Sequence, residues 1–197
     1  MKMYKKVLAA ALAGAMTVSM SATAFAADDD GYILKATNED AKSSDNDLVI
    51  AIEGSVSSMD PANIPDTSAI SATRGVYETL VSFDENQTLV GKLAESWEVS
   101  DDSLTYTFKL RQGVKFQDGT DFNAAAVKAN YDRVVDKDNN LRQRRTFIVS
   151  NADGSETPRV DSIETPDDYT LVIKLTQAWA PFINRLTQFC IISPAAL

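Results

Sequence analysis

Residues 93–119, LAESWEVSDDSLTYTFKLRQGVKFQDG, constrain the fold more tightly than any other part of the chain. Leu104, Tyr106, Phe108 and Leu110 alternate with Thr105, Thr107, Lys109 and Arg111, and a period of two sets one group on a core and the other in water. Asp101, Asp102 and Ser103 supply turn chemistry ahead of that strand, so it pairs antiparallel with residues 97–100 as a β-hairpin. Gln112 and Gly113 break the alternation, residues 114–116 resume it, and Asp118-Gly119 predicts a second turn in which Gly119 takes a positive φ.

The first residues belong to an address and not to this fold. Lys2, Lys5 and Lys6, an apolar run over residues 7–18 and the small-residue site Ala24-Phe25-Ala26 read as a secretory signal peptide cleaved after Ala26. The apolar run is shorter than the roughly 20 residues a membrane-spanning helix needs. Cys190 is the one cysteine, so no acylated cysteine stands at the new N-terminus and no internal disulfide forms. The expected product is periplasmic or extracellular and not lipid-anchored. Removal of residues 1–26 takes away three lysines and no acids, carrying the formal net charge from −9 to −12. That balance argues against nucleic acid or an anionic membrane as partner and fits an exported, soluble protein.

The chain has no histidine. The commonest general base, the Ser-His and Cys-His nucleophiles and the commonest zinc ligand are therefore excluded, and no Gly-rich phosphate loop, CxxC or GxSxG pattern occurs. No cofactor or metal is expected. Carboxylate or lysine chemistry stays formally open, so an exported hydrolase with a carboxylate pair or a Ser-Lys dyad is one alternative function, and an extracellular interaction module is another.

Along the chain, residues 27–46 are rich in Asp, Lys, Ser and Asn and read as a flexible leader. Residues 47–54 hold the apolar run Leu48-Val49-Ile50-Ala51-Ile52 of a buried strand. Asp60 precedes Pro61 and is restricted to an extended or turn conformation, where its side chain steadies a turn. Asp66 predicts an N-cap for a helix over residues 67–80 with Ile70, Thr73, Tyr77 and Leu80 on one face. Asn123 predicts the cap of a helix over residues 124–135 with Val127, Tyr131 and Val134 buried. Because Ala126 stands at N3, the reciprocal half of a capping box is absent.

Residues 136–158 combine Asn, Asp, Gly and Ser with Arg142, Arg144 and Arg145. A guanidinium fork binds carboxylates at two points, which makes the three arginines a candidate anion site. The competing reading is a solvated face paired with acids such as Asp136 and Asp138. A second hairpin is expected from residues 161–164, a turn at Pro166-Asp167-Asp168, and residues 169–175 with Tyr169, Leu171, Ile173 and Leu175 on one face. Pro181 opens a helix through Gln188 whose Phe182 and Leu186, with Phe189 just beyond it, face inward. Cys190 is expected to be a buried small hydrophobe, since no base stands ready to activate it.

The block at residues 93–119 closely resembles the signature "LAESWEVS-D-x-x-YTFKLRxGVKFxDG" of the family 5 extracytoplasmic solute-binding proteins, the peptide, nickel and glutathione receptors of ABC importers. Trp97, Tyr106, Phe108, Arg111, Gly113, Phe116, Asp118 and Gly119 all stand in register with it. Val76-Tyr77-Glu78-Thr79-Leu80-Val81 resembles the family's "VYExLV", Ser58-Met59-Asp60-Pro61 its "LDP" element, residues 168–175 its "Ddytvtikl", and Cys190-Ile191-Ile192-Ser193-Pro194 its "xxISP". The chain departs from "TAEDV" by carrying Ala126 in place of the acid, and with Asn130 and Arg133 in "VKANYDR" it looks more like the glutathione and nickel branch.

The resemblance implies an α/β (mixed α+β) fold, a lobe fragment of the periplasmic-binding-protein type with a mixed sheet, β-hairpins and flanking helices. Residues 47–80 would begin the main lobe, and residues 81–197 would form a small inserted domain cut short at the C-terminal side, because family members continue well beyond Leu197. It implies capture of a dipeptide, oligopeptide or glutathione-type solute between two lobes that close about a hinge, and delivery to an ABC permease by a monomer. It sets Asp60 at the rim of the ligand cleft and Arg142, Arg144 and Arg145 on a segment that offers arginine to ligand carboxylates. A single lobe cannot close, so either the sequence is a piece of a longer receptor or its product is a poor or non-functional one.

Overall fold

The computed structural model describes residue 52, residues 54–64 and residues 66–197. The signal peptide and the flexible leader lie outside the described residues, as does most of the strand expected over residues 47–54.

From the N-terminal side the elements are helix α1 (Thr67–Arg74), strand β1 (Glu78–Thr79), the hairpin of β2 (Val81–Phe83) and β3 (Leu89–Gly91), and the hairpin of β4 (Ala94–Val99) and β5 (Thr105–Leu110). Helix α2 (Ala124–Val135) and the one-turn helix α3 (Arg144–Phe147) lead to the hairpin of β6 (Ile148–Ser150) and β7 (Glu156–Pro158). The chain then forms β8 (Val160–Asp167), β9 (Thr170–Leu175), the one-turn helix α4 (Phe182–Arg185) and β10 (Cys190–Ile191).

The centre is a four-stranded sheet in the order β4-β5-β9-β8. Trp97 opposes Phe108, which in turn opposes Leu171, and Tyr106 opposes Ile173, which opposes Ile163. The alternation holds over β5: Tyr106, Phe108 and Leu110 are buried, with Phe108 fully enclosed, while Lys109 is exposed and Thr105 and Thr107 are half-buried; Leu104, expected on the inner face, precedes the strand and is half-buried. Leu171, Ile173 and Leu175 extend that inner face, and Tyr169 is only half-buried. Phe122, Phe147, Phe182, Leu186 and Phe189 close over it. The outer face carries Thr105, Thr107 and Lys109, whose Nζ donates to Thr170 Oγ1 at 3.0 Å.

The mixture of helix and sheet is as expected, but where a mixed sheet is expected every pairing among the described strands is antiparallel. Each long strand is joined to a neighbour by a tight turn, and a parallel neighbour would need a long crossover. The first turn follows the residues predicted for it. Ser103 takes φ +58, its N–H donates to the Ser100 carbonyl at 2.8 Å, and Asp102 Oδ1 accepts from the Leu104 N–H at 3.0 Å. Gly119 takes φ +86 in the second.

Two boundaries differ from expectation. Helix α1 is capped by Asp66, whose Oδ1 accepts from the Ala69 N–H at 2.8 Å, but it ends at Arg74 and does not reach Leu80. Gly75 is a poor helix residue, and beyond it Glu78 and Thr79 pair with Ile191 and Cys190; a tertiary partner outweighs the helical periodicity. Ile70, expected inside, is 40% exposed, and Ala69 with Thr73 makes the buried side. In the second hairpin the turn is Asp168-Tyr169, because Asp167 pairs with Thr170. Pro166 is accommodated inside β8 since β8 is an edge strand with a register shift between Glu164 and Asp167.

Helix α2 has the predicted bounds. Asn123 Oδ1 accepts from the Ala126 N–H at 2.9 Å, and Val127 and Val134 are buried. Tyr131 is half-buried against Phe147, its ring centroid 5.2 Å away, and burial together with the charge of Asp132 pushes its hydroxyl up to about 12. The helix expected after Pro181 divides into α4 and a 3-10 turn over Leu186–Gln188, with Phe182 and Leu186 inside and the following Phe189 buried as well. Cys190, expected to be buried, is half-buried, and burial raises its thiol pKa against the weaker opposing charge of Arg74, which favours the thiol over the thiolate.

Candidate ligand-binding site

The arginine segment is built outward from two anchors. Leu141 and Phe147 are buried, Phe147 lying edge-on between the rings of Tyr131 and Phe189 at 5.2 and 5.3 Å. Six residues apart, they fix the ends of a short arc whose middle must face water, and Arg142 and Arg145 are exposed there. Gln143 ties the arc down: its N–H donates to the Ala62 carbonyl at 3.0 Å and its Nε2 to the Gln188 carbonyl at 2.7 Å.

Arg144 turns back toward the protein. Its Nε donates to the Val135 carbonyl at 2.9 Å, and Nη1 and Nη2 donate to the two carboxylate oxygens of Glu156 on β7 at 2.6 and 2.8 Å. The Arg144 hydrogen bond, with the charges of Arg144 and Lys137, holds the Glu156 carboxyl below its ordinary value against a smaller desolvation. Arg145 Nε donates to the Arg142 carbonyl at 3.1 Å. An open cleft of about 450 Å³ lies beside this pair, lined by Lys137, Asn140, Arg144, Ser150, Gly154 and Glu156.

Asp60 caps the 3-10 turn Pro61–Asn63, its Oδ1 accepting from the Ala62 N–H at 3.0 Å. Both its oxygens also accept from Arg133 on α2, at 3.2 and 2.6 Å. Burial raises the Asp60 carboxyl, but the Arg133 hydrogen bond, the Ala62 amide and the guanidinium charge together outweigh it and leave the pKa below the ordinary value. The four residues singled out in the sequence thus stand on neighbouring segments, joined through Gln143 and Ala62, yet their side chains divide. Asp60 and Arg144 are committed to internal ion pairs, and Arg142 and Arg145 face outward.

Sequence reasoning missed both partners. It proposed Asp136 and Asp138 for the arginines, and Asp136 does add charge beside Arg144, but the fork is filled by Glu156. That choice depends on the register of β6 with β7, in which Ser150 opposes Glu156. Chemically the arrangement offers cationic hydrogen-bond donors to a carboxylate and holds one acid, Glu156, already neutralised by its partner.

Residues 88–196 match the family described as bacterial extracellular solute-binding proteins, family 5 middle. The chain is 41% identical over 153 residues to the glutathione-binding protein GsiB of Escherichia coli strain K12, an overlap that covers 77% of this chain and 28% of that protein. Its fold is similar to the murein tripeptide binding protein MppA of Escherichia coli, with a TM-score of 0.64 and 27% identity over 74% of this chain and 30% of that one. It is likewise similar to the ABC transporter-associated periplasmic binding protein DppA of Helicobacter pylori in complex with the peptide STSA, with a TM-score of 0.57 and 31% identity over 71% of this chain and 29% of that one. The chain therefore spans less than a third of the length of the relatives it matches.

Proposed function

Because the chain belongs to the bacterial extracellular solute-binding proteins of family 5, we propose that it captures a small peptide or peptide-like solute outside the cytoplasm and delivers it to the permease of an ABC importer. The observation that carries this reading is the 41% identity to a glutathione-binding protein across 153 residues, a span that takes in most of the described fold. On the same reading residues 1–26 are removed on export, residues 47–80 open a main lobe, residues 81–197 belong to a small domain inserted in it, and the protein works as a monomer. Mass spectrometry of exported material should then find Ala27 at the N-terminus, and an uncleaved or acylated start would refute the leader.

Arg142 and Arg145 are the residues best placed to meet a ligand carboxylate, since they face water. Asp60 and Arg144 support the segment through their pairs with Arg133 and Glu156. An exposed ion pair contributes only about 0 to 1 kcal/mol and is screened by salt, so this stretch alone should bind weakly, and enclosure by a second lobe would be needed for high affinity. Titration calorimetry with glutathione and with a neutral-side-chain tripeptide tests the proposal. We expect millimolar, salt-sensitive binding that Arg142→Ala and Arg145→Ala weaken and Lys109→Ala leaves alone. No heat from either ligand, or a response indifferent to both arginines, would count against it.

A further inference from the structure

Three arginines among the described residues are half-buried: Arg133, Arg144 and Arg159. Two of them give a complete fork to an internal carboxylate, Arg133 to Asp60 and Arg144 to Glu156. Arg159 gives its fork to none. Its guanidinium carbon instead stands 4.2 Å from the centroid of the Trp179 ring, and its Nε is buried without a hydrogen-bond partner.

The backbone under Arg159 is fixed on both sides. Its N–H donates to the Phe147 carbonyl at 2.8 Å, and its carbonyl accepts from the Thr176 N–H at 3.0 Å and from Thr176 Oγ1 at 3.3 Å. It immediately precedes β8, and Trp179 follows β9, so the hairpin that closes the central sheet sets the two side chains against each other. A guanidinium whose carbon lies 4.2 Å from an indole centroid is desolvated on the side the ring covers and is attracted to the ring face, and a guanidinium fork that no internal carboxylate fills suits two-point recognition of one. A buried N–H with no acceptor is uncommon in a folded protein, and it sets Arg159 apart from Arg133 and Arg144, whose forks are filled.

We propose that the Arg159–Trp179 stack is a receptor for a carboxylate supplied from outside the described residues, distinct from the Arg142–Arg145 segment. The carboxylate binds at the Nη edge of the guanidinium, since Nε is buried, with Trp179 excluding water from the side it covers. Two sources share this chemistry, a free carboxylic acid and an acidic side chain of another polypeptide. The proposal does not depend on the transport reading, since it rests on these two side chains alone.

The chain has two tryptophans, Trp97 and Trp179, so the full chain carrying Trp97→Phe reports from Trp179 by fluorescence. Titration with glutarate at constant ionic strength should give a saturating change in emission, and Arg159→Lys, which keeps the charge but loses the planar fork, should weaken it at least tenfold. Lys109→Ala should leave it unchanged. A short acidic peptide forms the second arm: saturation by the peptide with none by glutarate assigns the carboxylate to a polypeptide, and the reverse assigns it to a small acid. Should Trp97→Phe or Arg159→Lys lose its folded circular dichroism, calorimetry on the unaltered chain and on Arg159→Gln replaces the optical readout. A response that follows ionic strength only, that survives loss of Arg159, or that is absent with both probes overturns the proposal.

Discussion

The side-chain amide of Asn130 stands in for a neighbouring strand at Ile192, its Oδ1 accepting from the Ile192 N–H at 3.1 Å and its Nδ2 donating to the Ile192 carbonyl at 2.8 Å. The second Nδ2 hydrogen goes to the Ala126 carbonyl at 2.9 Å, so a residue only 4% exposed uses both amide hydrogens and its carbonyl oxygen. The contact joins the middle of α2 to the segment after β10. Replacing Asn130 with Leu fills the volume but strands both backbone groups of Ile192. Leaving a buried polar group unpaired costs about 1 to 3 kcal/mol, and Ile192 is half-buried, so we expect a loss near the middle of that range. Lys128→Ala, on the exposed side of the same helix, should change stability by roughly 0.5 kcal/mol or less. Urea midpoints of the two variants decide, and equal midpoints would mean that water replaces the amide without cost.

The central strand gives a second test. Phe108 is fully enclosed, whereas Thr107 points to the outer face beside Glu98 and Val172. Phe108→Ala should cost about 3 to 5 kcal/mol, and Thr107→Ala far less. Matching denaturation curves for the two would show that the inner face is not where the stability lies.

Periodicity and capping made much of this legible. The alternation around Phe108 and the Asn123 cap are local properties of the chain, and local physics reads them correctly. What failed was decided at a distance. Helix α1 stops short because Glu78 and Thr79 find partners at Ile191 and Cys190. Asp60 was readable as a turn residue, but its ion pair reaches 73 positions along the chain to Arg133. The arginine segment was visible as a cluster, yet no spacing rule distinguishes Arg144, which is consumed by Glu156, from Arg142 and Arg145, which are not. The Arg159–Trp179 stack has no sequence signal, since it requires the ends of β8 and β9 to be neighbours.

Gly91 shows a steric constraint that composition hides. A Cβ at this position would sit 2.3 Å from the Ala94 carbonyl oxygen and 3.1 Å from that of Glu95. Both obstacles are backbone, held by the Ala94 N–H bond to the Leu80 carbonyl at 3.0 Å and by the pairing of Ala94 with Leu110, so they cannot swing aside as a side chain would. Gly91→Ala should therefore destabilise despite the usual advantage of Ala over Gly, which is about 0.4 to 1 kcal/mol where the backbone tolerates a side chain. Gly154→Ala, at φ +83 but with open space around its Cβ site, separates conformational strain from collision. Gly91→Ala is expected to lower the thermal midpoint more, and the opposite order would show that β3 and β4 part easily.

Acid should be the condition that unfolds this protein first. Ser193 and Thr120 hydroxyls and the Thr120 amide hold Asp118 below its ordinary value of 3.8, Arg144 holds Glu156 below 4.5, and Arg133 with the Ala62 amide holds Asp60 below 3.8 in spite of burial. A carboxyl whose pKa is depressed in the folded state favours folding above its unfolded value, and that contribution is lost as pH falls through the folded value. The three act in the same direction, so stability should decline below about pH 4 to 5. The chain has no histidine, so no imidazole titrates between pH 6 and 8 and the curve there should be nearly flat. Asp60→Asn should lower the midpoint at neutral pH, where Arg133 loses its counter-charge, and should reduce the further fall on acidification. Urea midpoints measured from pH 8 to pH 3 check both parts. A midpoint that changes steeply around neutrality, or that rises as the acids are protonated, would contradict the ion pairs described for Asp60 and Glu156.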